Sequence, residues 1–175
     1  LGLADNLLTF GKRQGADELE IAIAEGNEFS VDVRLGKIEN LVEAGSRYLS
    51  LRVIKDKKTA FATSSDLDKE TLKTLLKKAI KRAALSSPDE YSGLPPLSPK
   101  KIDIASLELF DPEIGELNSK KKISLALETE KIALRDKRIT NSHGASFTTS
   151  EGRFILTNSN SFLGHFGRDM IKFCL

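Results

Sequence analysis

The sequence has few of the residues that form disulfides or bind metals, with one cysteine and two histidines among 175 residues. Cys174 has no second cysteine for an internal disulfide or a structural zinc site. His143 and His165 lie twenty-two residues apart, and no H-E-x-x-H motif places two ligands on one helix face. Glycine-rich phosphate loops of the forms G-x-x-x-x-G-K and G-x-G-x-x-G are absent as well. We therefore expect no catalytic residue and no metal site in this chain.

Long hydrophobic runs are also absent. The longest covers only residues 21–24, whereas a bilayer span needs about 20 apolar residues. Residues 1–10 lack a basic start and contain Asp5, so they do not resemble a signal peptide. We expect a cytoplasmic protein with no membrane partner. Because the only methionine is Met170, we also expect the chain to be a fragment of a longer protein.

Two residues leave more than one interpretation open. Cys174 could act as a nucleophile with a histidine, but its apolar surroundings favour a buried structural thiol. Glu130 interrupts the apolar stripe of a predicted helix. A carboxylate in such a stripe is more often paired with a lysine or arginine at an interface than catalytic.

Alternating apolar residues predict several short strands in the first third of the chain. Tight turns are predicted at Gly26-Asn27, at Leu35-Gly36 and at residues 55–58, with a further break at Gly45. Such short connections favour antiparallel pairing, because parallel strands need long crossovers. The predicted strands cover residues 18–24, 29–34, 38–42, 49–54 and 59–63.

Two apolar stripes with helical spacing predict amphipathic helices. One begins after the capping residues 64–66 and extends to Ala84, and the other begins at Asn118-Ser119. The predicted fold class is α+β: an antiparallel sheet of several short strands with amphipathic helices packed on one face, followed by a helix and the start of a second β-rich region. The predicted domains are an α+β amino-terminal domain at 1–87, a proline-rich connection at 88–117, and a helix with an incomplete β-rich segment at 118–175 that leads into a missing carboxy-terminal domain.

Positive charge is concentrated in the middle of the chain. Residues 46–101 carry thirteen basic and six acidic side chains, whereas residues 1–45 carry four basic and nine acidic ones. A charge run on a helix is usually a solvated face, so this is the favoured interpretation, and an anionic partner is the alternative. The candidate anionic-partner face comprises Lys69, Lys73, Lys77, Lys78, Lys81 and Arg82.

Phenylalanine is concentrated near the end of the sequence, where five of nine occur in the last 29 residues. A chain end is usually polar and frayed. We therefore expect this segment to pack against the body of the domain or against chain that is absent, at an inter-domain or subunit surface. The candidate packing residues are Phe147, Phe154, Phe162, Phe166 and Phe173.

Three stretches, read in order, resemble the amino-terminal half of the TldD/PmbA family, the so-called modulators of DNA gyrase, now viewed as peptidases. They are residues 15–83, the sequence DEYSGLPP at 89–96, and residues 134–164. Together they span nearly the whole chain. The Tyr-Ser-Gly-Leu-Pro element and the Arg-Ile-Thr-Asn sequence at 138–141 look more like the PmbA (TldE) branch than the TldD branch.

The resemblance implies an α+β amino-terminal domain and a separate β-rich carboxy-terminal domain. It also implies a heterodimeric metallopeptidase that trims leader peptides and degrades unfolded substrates. In the TldD branch the zinc helix, H-E-x-x-x-H, follows the region matched here, and the PmbA branch lacks it. The implied partner is therefore a TldD-like zinc-bearing subunit, or a second copy in a homodimer. Zinc belongs to the partner, and this chain carries no cofactor.

Two hypotheses of function follow. In the first, the chain is the amino-terminal part of a PmbA/TldE-like subunit that assists assembly and encloses a peptide substrate, and it is inactive alone. In the second, it is a nucleic-acid or gyrase-associated binding module that uses the helix at 69–82, with a steep salt dependence. This helix lacks the aromatic and amide side chains that read bases, so we do not expect nucleic acid as a partner. A weaker third hypothesis is an adaptor whose carboxy-terminal strand joins a partner's sheet edge.

Overall fold

The computed structural model describes residues 2–97 and 103–175. Four α-helices, one 3-10 turn and five strands occur in this part of the chain. The order of the α-helices and strands is α1 Gly2–Arg13, β1 Glu18–Arg34, β2 Lys37–Lys55, β3 Lys58–Ser64, α2 Lys69–Leu85, α3 Pro112–Glu116, α4 Ser119–Ala133, β4 Ala145–Asn158 and β5 Leu163–Cys174.

The strands form one antiparallel sheet in the order β3-β2-β1-β4-β5. The register of β2 and β3 runs from Leu49 opposite Ser64 to Lys55 opposite Lys58. The predicted α+β class, an antiparallel sheet with helices packed on it, is confirmed. Strands β4 and β5 lie in this same sheet, although the sequence analysis assigned their residues to the start of a second β-rich region.

The described residues divide into two compact units. Unit 1 contains residues 2–25, 47–97 and Phe154–Phe166, and unit 2 contains Gly26–Ser46, Asp103–Arg153 and Gly167–Leu175. Strands β1, β2, β4 and β5 each contribute residues to both units. The domain boundaries drawn from the sequence stay a prediction.

The core of unit 1 lies between two helices and the strands. Leu7 of α1 and Leu72 and Leu76 of α2 are buried with Leu19 and Leu51 of the strands. The strand residues alternate between the core and the other face, as the pleat requires. The apolar stripe that predicted α2 is therefore the face that the helix buries.

Helix α2 begins later than its predicted cap at residues 64–66. The N-cap is Asp68, whose carboxylate accepts hydrogen bonds from the backbone N–H groups of Glu70 at 2.9 Å and Thr71 at 3.0 Å. These bonds lower the pKa of Asp68. Asp68 is the cap because its side chain can reach the backbone N–H groups of the second and third helical residues, Glu70 and Thr71.

The proline-rich segment after α2 is tied to unit 1. Residues 88–97 cross the strands, where Arg52 Nη2 donates to the Gly93 carbonyl at 3.3 Å and Leu94 N donates to Glu18 Oε2 at 2.7 Å. Arg52 points away from the helices because both its neighbours in β2 are buried in the core. The segment therefore covers the sheet face opposite α1 and α2.

Unit 2 has its own apolar core. Phe147 of β4 is fully buried among Phe29 and Val31 of β1 and Ala126 of α4. Helix α4 begins after its predicted cap, since the Asn118 side chain accepts a hydrogen bond from Lys121 N at 2.9 Å. This cap and the apolar face of α4 agree with the sequence pattern.

Strands β1 and β2 are longer than predicted. Strand β1 continues through Gly26-Asn27 and β2 continues through Gly45, so the turn and the break predicted there are wrong. A Cβ atom on Gly26 would lie 2.9 Å from the backbone oxygen of Glu151, and one on Gly45 would lie 3.1 Å from Asn27 Oδ1. Glycine at these positions lets neighbouring groups approach closely within continuous strands.

The true reversals are two-residue turns, as the sequence predicted at Leu35-Gly36. Leu35 has φ 49° and Gly36 has φ 72°, and Asp56 and Lys57 have φ 51° and 60°. Two successive positive φ values are those of a type I′ turn, whose twist suits a hairpin. The positive φ of Leu35 costs conformational free energy, because a bulky side chain disfavours the left-handed region.

The buried carboxylate of Glu130 holds this Leu35-Gly36 turn. The side chain extends from α4 with the residue only 1% exposed, and it accepts hydrogen bonds from Leu35 N and Gly36 N, each at 2.9 Å. These partners are backbone N–H groups, and no lysine or arginine among the described residues forms the salt bridge with Glu130 that was expected at an interface. Glu130 has a structural role in unit 2.

Several groups set the pKa of Glu130. Burial is the largest single influence and raises it, but hydrogen bonds from Gly36 N, the Ser142 side chain and Leu35 N, with the charge of Arg34, together hold the pKa below its ordinary value. Because the folded-state pKa lies below the unfolded one, the carboxylate stabilises the fold above the unfolded pKa. This contribution is lost as the pH falls through the folded-state pKa.

The close approach at Gly26 predicts a stability effect. We expect Gly26→Ala to lower the free energy of unfolding by about 1–3 kcal/mol, because the new Cβ meets a backbone oxygen that cannot rotate away. The control is Gly2→Ala, where no atom lies within 4 Å. Urea denaturation measures both, and equal midpoints for the two variants would contradict the close approach.

Removal of the Glu130 carboxylate predicts a second effect. We expect Glu130→Ala to cost about 2–4 kcal/mol, because two backbone donors in a buried turn lose their acceptor. Glu130→Gln retains one oxygen and should lose less, and its difference from the parent should shrink at low pH. The control Glu128→Ala changes an exposed residue of the same helix and should stay within about 0.5 kcal/mol. A Glu130→Ala chain as stable as the parent would refute this role.

Candidate functional site

The described residues offer no metal centre. Among residues 2–97 and 103–175, no three histidine, cysteine or acidic side chains form a group that could hold a metal ion. The residues present therefore do not fit a zinc site, and we assign no metal-dependent step to them. No helix in the same residues is long and apolar enough to cross a bilayer.

Cys174 is exposed at the end of β5. The expectation of a buried structural thiol is therefore wrong. The reason is that the last residues of β5 are exposed on both strand faces, so an apolar sequence there does not produce burial. A lone exposed cysteine does not by itself form a site.

The cations of the candidate anionic-partner face on α2 are partly engaged within the chain. Lys73 Nζ lies 2.6 Å from Glu70 Oε1. Lys73 and Lys77 also lie over the ring of Phe10, with Nζ 5.9 Å and 5.5 Å from its centroid. Cation–π contacts of this kind favour a structural use of the charge.

The remaining members do not converge on one face. Arg82 Nη1 donates to the Phe61 carbonyl of β3 at 3.1 Å. An α-helix turns about 100° per residue, so the six positions from Lys69 to Arg82 spread over about 220° of the helix surface. This geometry favours a solvated helix, and the candidate anionic-partner face stays a prediction.

The five candidate packing phenylalanines lie on β4, on β5 and in the turn between them. Phe147 and Phe173 form an edge-to-face pair with centroids 4.6 Å apart. Phe154 and Phe166 form a tilted pair at 5.5 Å, and Phe162 is 38% exposed. Four of the five thus pair inside their own unit, and an inter-domain or subunit role stays a prediction.

Unit 2 has a polar cleft of about 490 Å³ beside the start of α4. Lys122 is its central cation, and its Nζ donates to Thr149 Oγ1 at 2.8 Å and lies 5.0 Å from the ring centroid of Phe29. Glu43 and Glu151 also line the cleft. Because Lys122 already contacts Thr149 and Phe29, the lining does not favour an anion site.

Unit 1 has a second cleft, of about 500 Å³, between α1 and the turn that joins β4 to β5. The helix wall presents Asp5, Leu8, Thr9 and Lys12, which recur at the spacing of one helix face. We refer to this as the α1 cleft. Opposite this wall lie Asn160, Ser161, Phe162 and Leu163.

The far wall of the α1 cleft is a turn held by hydrogen bonds. Asn158 is 3% exposed, and its Oδ1 accepts hydrogen bonds from Asn160 N at 2.9 Å and Phe162 N at 3.2 Å. Ser159 N donates to the Leu19 carbonyl at 2.8 Å, and Leu19 N donates to Ser159 Oγ at 3.1 Å. Sequence reasoning missed this site, since only the helix wall leaves a pattern in the sequence.

The comparisons with known proteins agree on one family. Residues 19–83 match the family described as PmbA/TldA metallopeptidase domain 1. The chain is 32% identical over 157 residues to metalloprotease PmbA of Escherichia coli O157:H7, which covers 89% of this chain and 34% of that protein. It is 32% identical over 145 residues to the metalloprotease PmbA homolog of Haemophilus influenzae, covering 82% of this chain and 32% of the relative. The chain spans about a third of the length of these curated relatives.

Solved structures share the fold. A candidate modulator of DNA gyrase from Bacteroides thetaiotaomicron superposes with a TM-score of 0.87 at 22% identity, covering 98% of this chain and 39% of that one. TldE from Thermococcus kodakarensis gives a TM-score of 0.76 at 24% identity, covering 95% and 37%. The order of strands and helices described above is thus that of known proteins. The chain belongs to the PmbA/TldD family and corresponds to the amino-terminal portion of its members.

Proposed function

We propose that the chain is the amino-terminal part of a PmbA/TldE-like subunit of a metallopeptidase complex. In this role it assists assembly and encloses a peptide substrate, and it contributes no catalytic group. Curated relatives named metalloprotease PmbA support the peptidase class. The TldE neighbour and the motifs at 89–96 and 138–141 support the branch. We further propose a cytoplasmic location.

The exposed first half of β2 carries this proposal. Strand β3 pairs with β2 only from Leu49 to Lys55, and every residue from 37 to 46 is exposed. Ile38, Leu41 and Val42 are 47%, 44% and 40% exposed. An apolar strand edge without a partner is a template for pairing with another chain. We call residues 37–46 the β2 edge.

The partner proposed for the β2 edge is a TldD-like subunit that holds zinc. A zinc ion polarises a peptide carbonyl and lowers the pKa of bound water, so the partner supplies the hydrolytic chemistry. A homodimer would use the same surface. The alternative of a nucleic-acid module stays a prediction, and the cations of α2 engaged with Glu70, Phe10 and Phe61 give it less support.

Assembly through the β2 edge can be measured. We expect Leu41→Glu with Val42→Glu to weaken binding of the chain to a TldD-like subunit about tenfold or more, because charges replace apolar side chains at the contact. The control is Leu85→Glu, at the end of α2, where the residue is 88% exposed. Analytical ultracentrifugation gives the dissociation constants. Equal constants for both variants and the parent would exclude this surface.

The absence of a catalytic group predicts that the chain alone is inert. With zinc and no partner, we expect it to leave an unstructured peptide intact, as followed by mass spectrometry. Addition of the TldD-like subunit should start cleavage, and a chelator should stop it. Chelator-sensitive cleavage by the purified chain alone would overturn the assignment.

A further inference from the structure

The charges of the α1 cleft lie at opposite ends of its helix wall. Asp5 and Lys12 are seven residues apart, so they are separated by about 10 Å along the helix axis. Neither forms an ion pair with any residue in the described part of the chain. Asp17 also lines the cleft, but its carboxylate already accepts a hydrogen bond from Asp56 N at 2.6 Å. The two available charges are therefore one anion and one cation, about two helical turns apart.

The surface between these charges is mixed in polarity. Leu8 on the helix wall, Phe162 on the turn and Leu163 at the start of β5 provide apolar contact, and Phe162 and Leu163 are 38% and 50% exposed. Thr9 and Asn160 add polar groups to the lining. Pockets of a few hundred Å³ with apolar walls and a few placed polar groups are typical of small-ligand sites. The arrangement fits a ligand that is charged at both ends and apolar between them.

We propose that the α1 cleft binds a short peptide with free termini. Its ammonium group pairs with Asp5, its carboxylate pairs with Lys12, and a central apolar side chain packs on Leu8 and Phe162. An extended chain spans about 3.3–3.6 Å per residue, so three residues cover about 10 Å. The proposal rests on the proposed function, since a peptidase complex is what produces short peptides with free termini.

The same two charges also stabilise α1. Asp5 lies in the first turn, near the positive end of the helix dipole, and Lys12 lies in the last turn, near its negative end. Both placements are favourable. A test of the cleft must therefore measure binding separately from stability. Modified peptides provide this separation, because they leave the protein unchanged.

The experiment titrates the chain with the tripeptide Ala-Leu-Ala and follows amide shifts by NMR. We expect a dissociation constant of about 1 mM or lower. Acetylation of the amino end and amidation of the carboxyl end should each weaken binding about fivefold or more. Binding that is unaffected by both caps, or absent at about 10 mM peptide, would overturn the proposal.

Variants assign each end of the peptide to its residue. Asp5→Asn should abolish the effect of acetylation and keep that of amidation, and Lys12→Gln should do the reverse. The control Arg13→Gln changes the neighbouring base outside the cleft and should bind the peptide as the parent does. If both variants remain folded while acetylation still weakens binding to Asp5→Asn and amidation still weakens binding to Lys12→Gln, the assigned charges are wrong.

The two proposals fail independently. A chain that binds a TldD-like subunit through the β2 edge but not the tripeptide refutes only the cleft proposal. A chain that binds the tripeptide with the expected cap effects but never assembles refutes only the proposed function.

Discussion

Unit 2 depends on the bond between the Glu130 carboxylate and the Leu35-Gly36 turn. Strands of 17 and 19 residues meet at this turn, and Leu35 adopts a left-handed conformation that its side chain disfavours. Two hydrogen bonds to one carboxylate offset that cost and tie α4 to the hairpin. The acid lies in the apolar stripe of α4 for this reason. Its position would be costly if the turn presented no backbone donors.

The segments that resemble the family have structural roles of the same kind. Residues 88–97 are bound to unit 1 by Arg52 and Glu18. In unit 2, the Ser142 carbonyl accepts a hydrogen bond from Arg34 Nε at 3.2 Å, and Gly144 has φ 115° with a Cβ position that would collide with the Val33 carbonyl. Both segments therefore brace strands from outside the core. The motifs thus contribute to the architecture, each within its own unit.

Patterns of neighbouring residues predicted the helices and the hairpin turn. Features that depend on contacts between residues far apart in the sequence could not be predicted. The stripes of α2 and α4 and the turn at Leu35-Gly36 depend on neighbouring residues, and these predictions are confirmed. Gly26 was misread because a glycine indicates a turn or a close approach equally well, and only the position of Glu151 distinguishes them. The α1 cleft was missed because its walls are far apart in sequence, as the contact of Leu19 with Ser159, separated by 140 residues, illustrates.

Many carboxylates of this chain bind its own backbone. Among the described residues, ten of them accept hydrogen bonds from backbone N–H groups: Asp17, Glu18, Asp66, Asp68, Asp89, Asp103, Asp111, Glu130, Asp136 and Asp169. Such bonds lower the pKa of Asp68, and at Glu130, together with the Ser142 side chain and the charge of Arg34, they hold the pKa below its ordinary value against the effect of burial. Asp5 and Lys12 differ, since they face a cleft without an ion-pair partner among the described residues. Backbone contacts thus use many of the acids, and the peptide binding that we propose for the α1 cleft uses two charged residues outside this set.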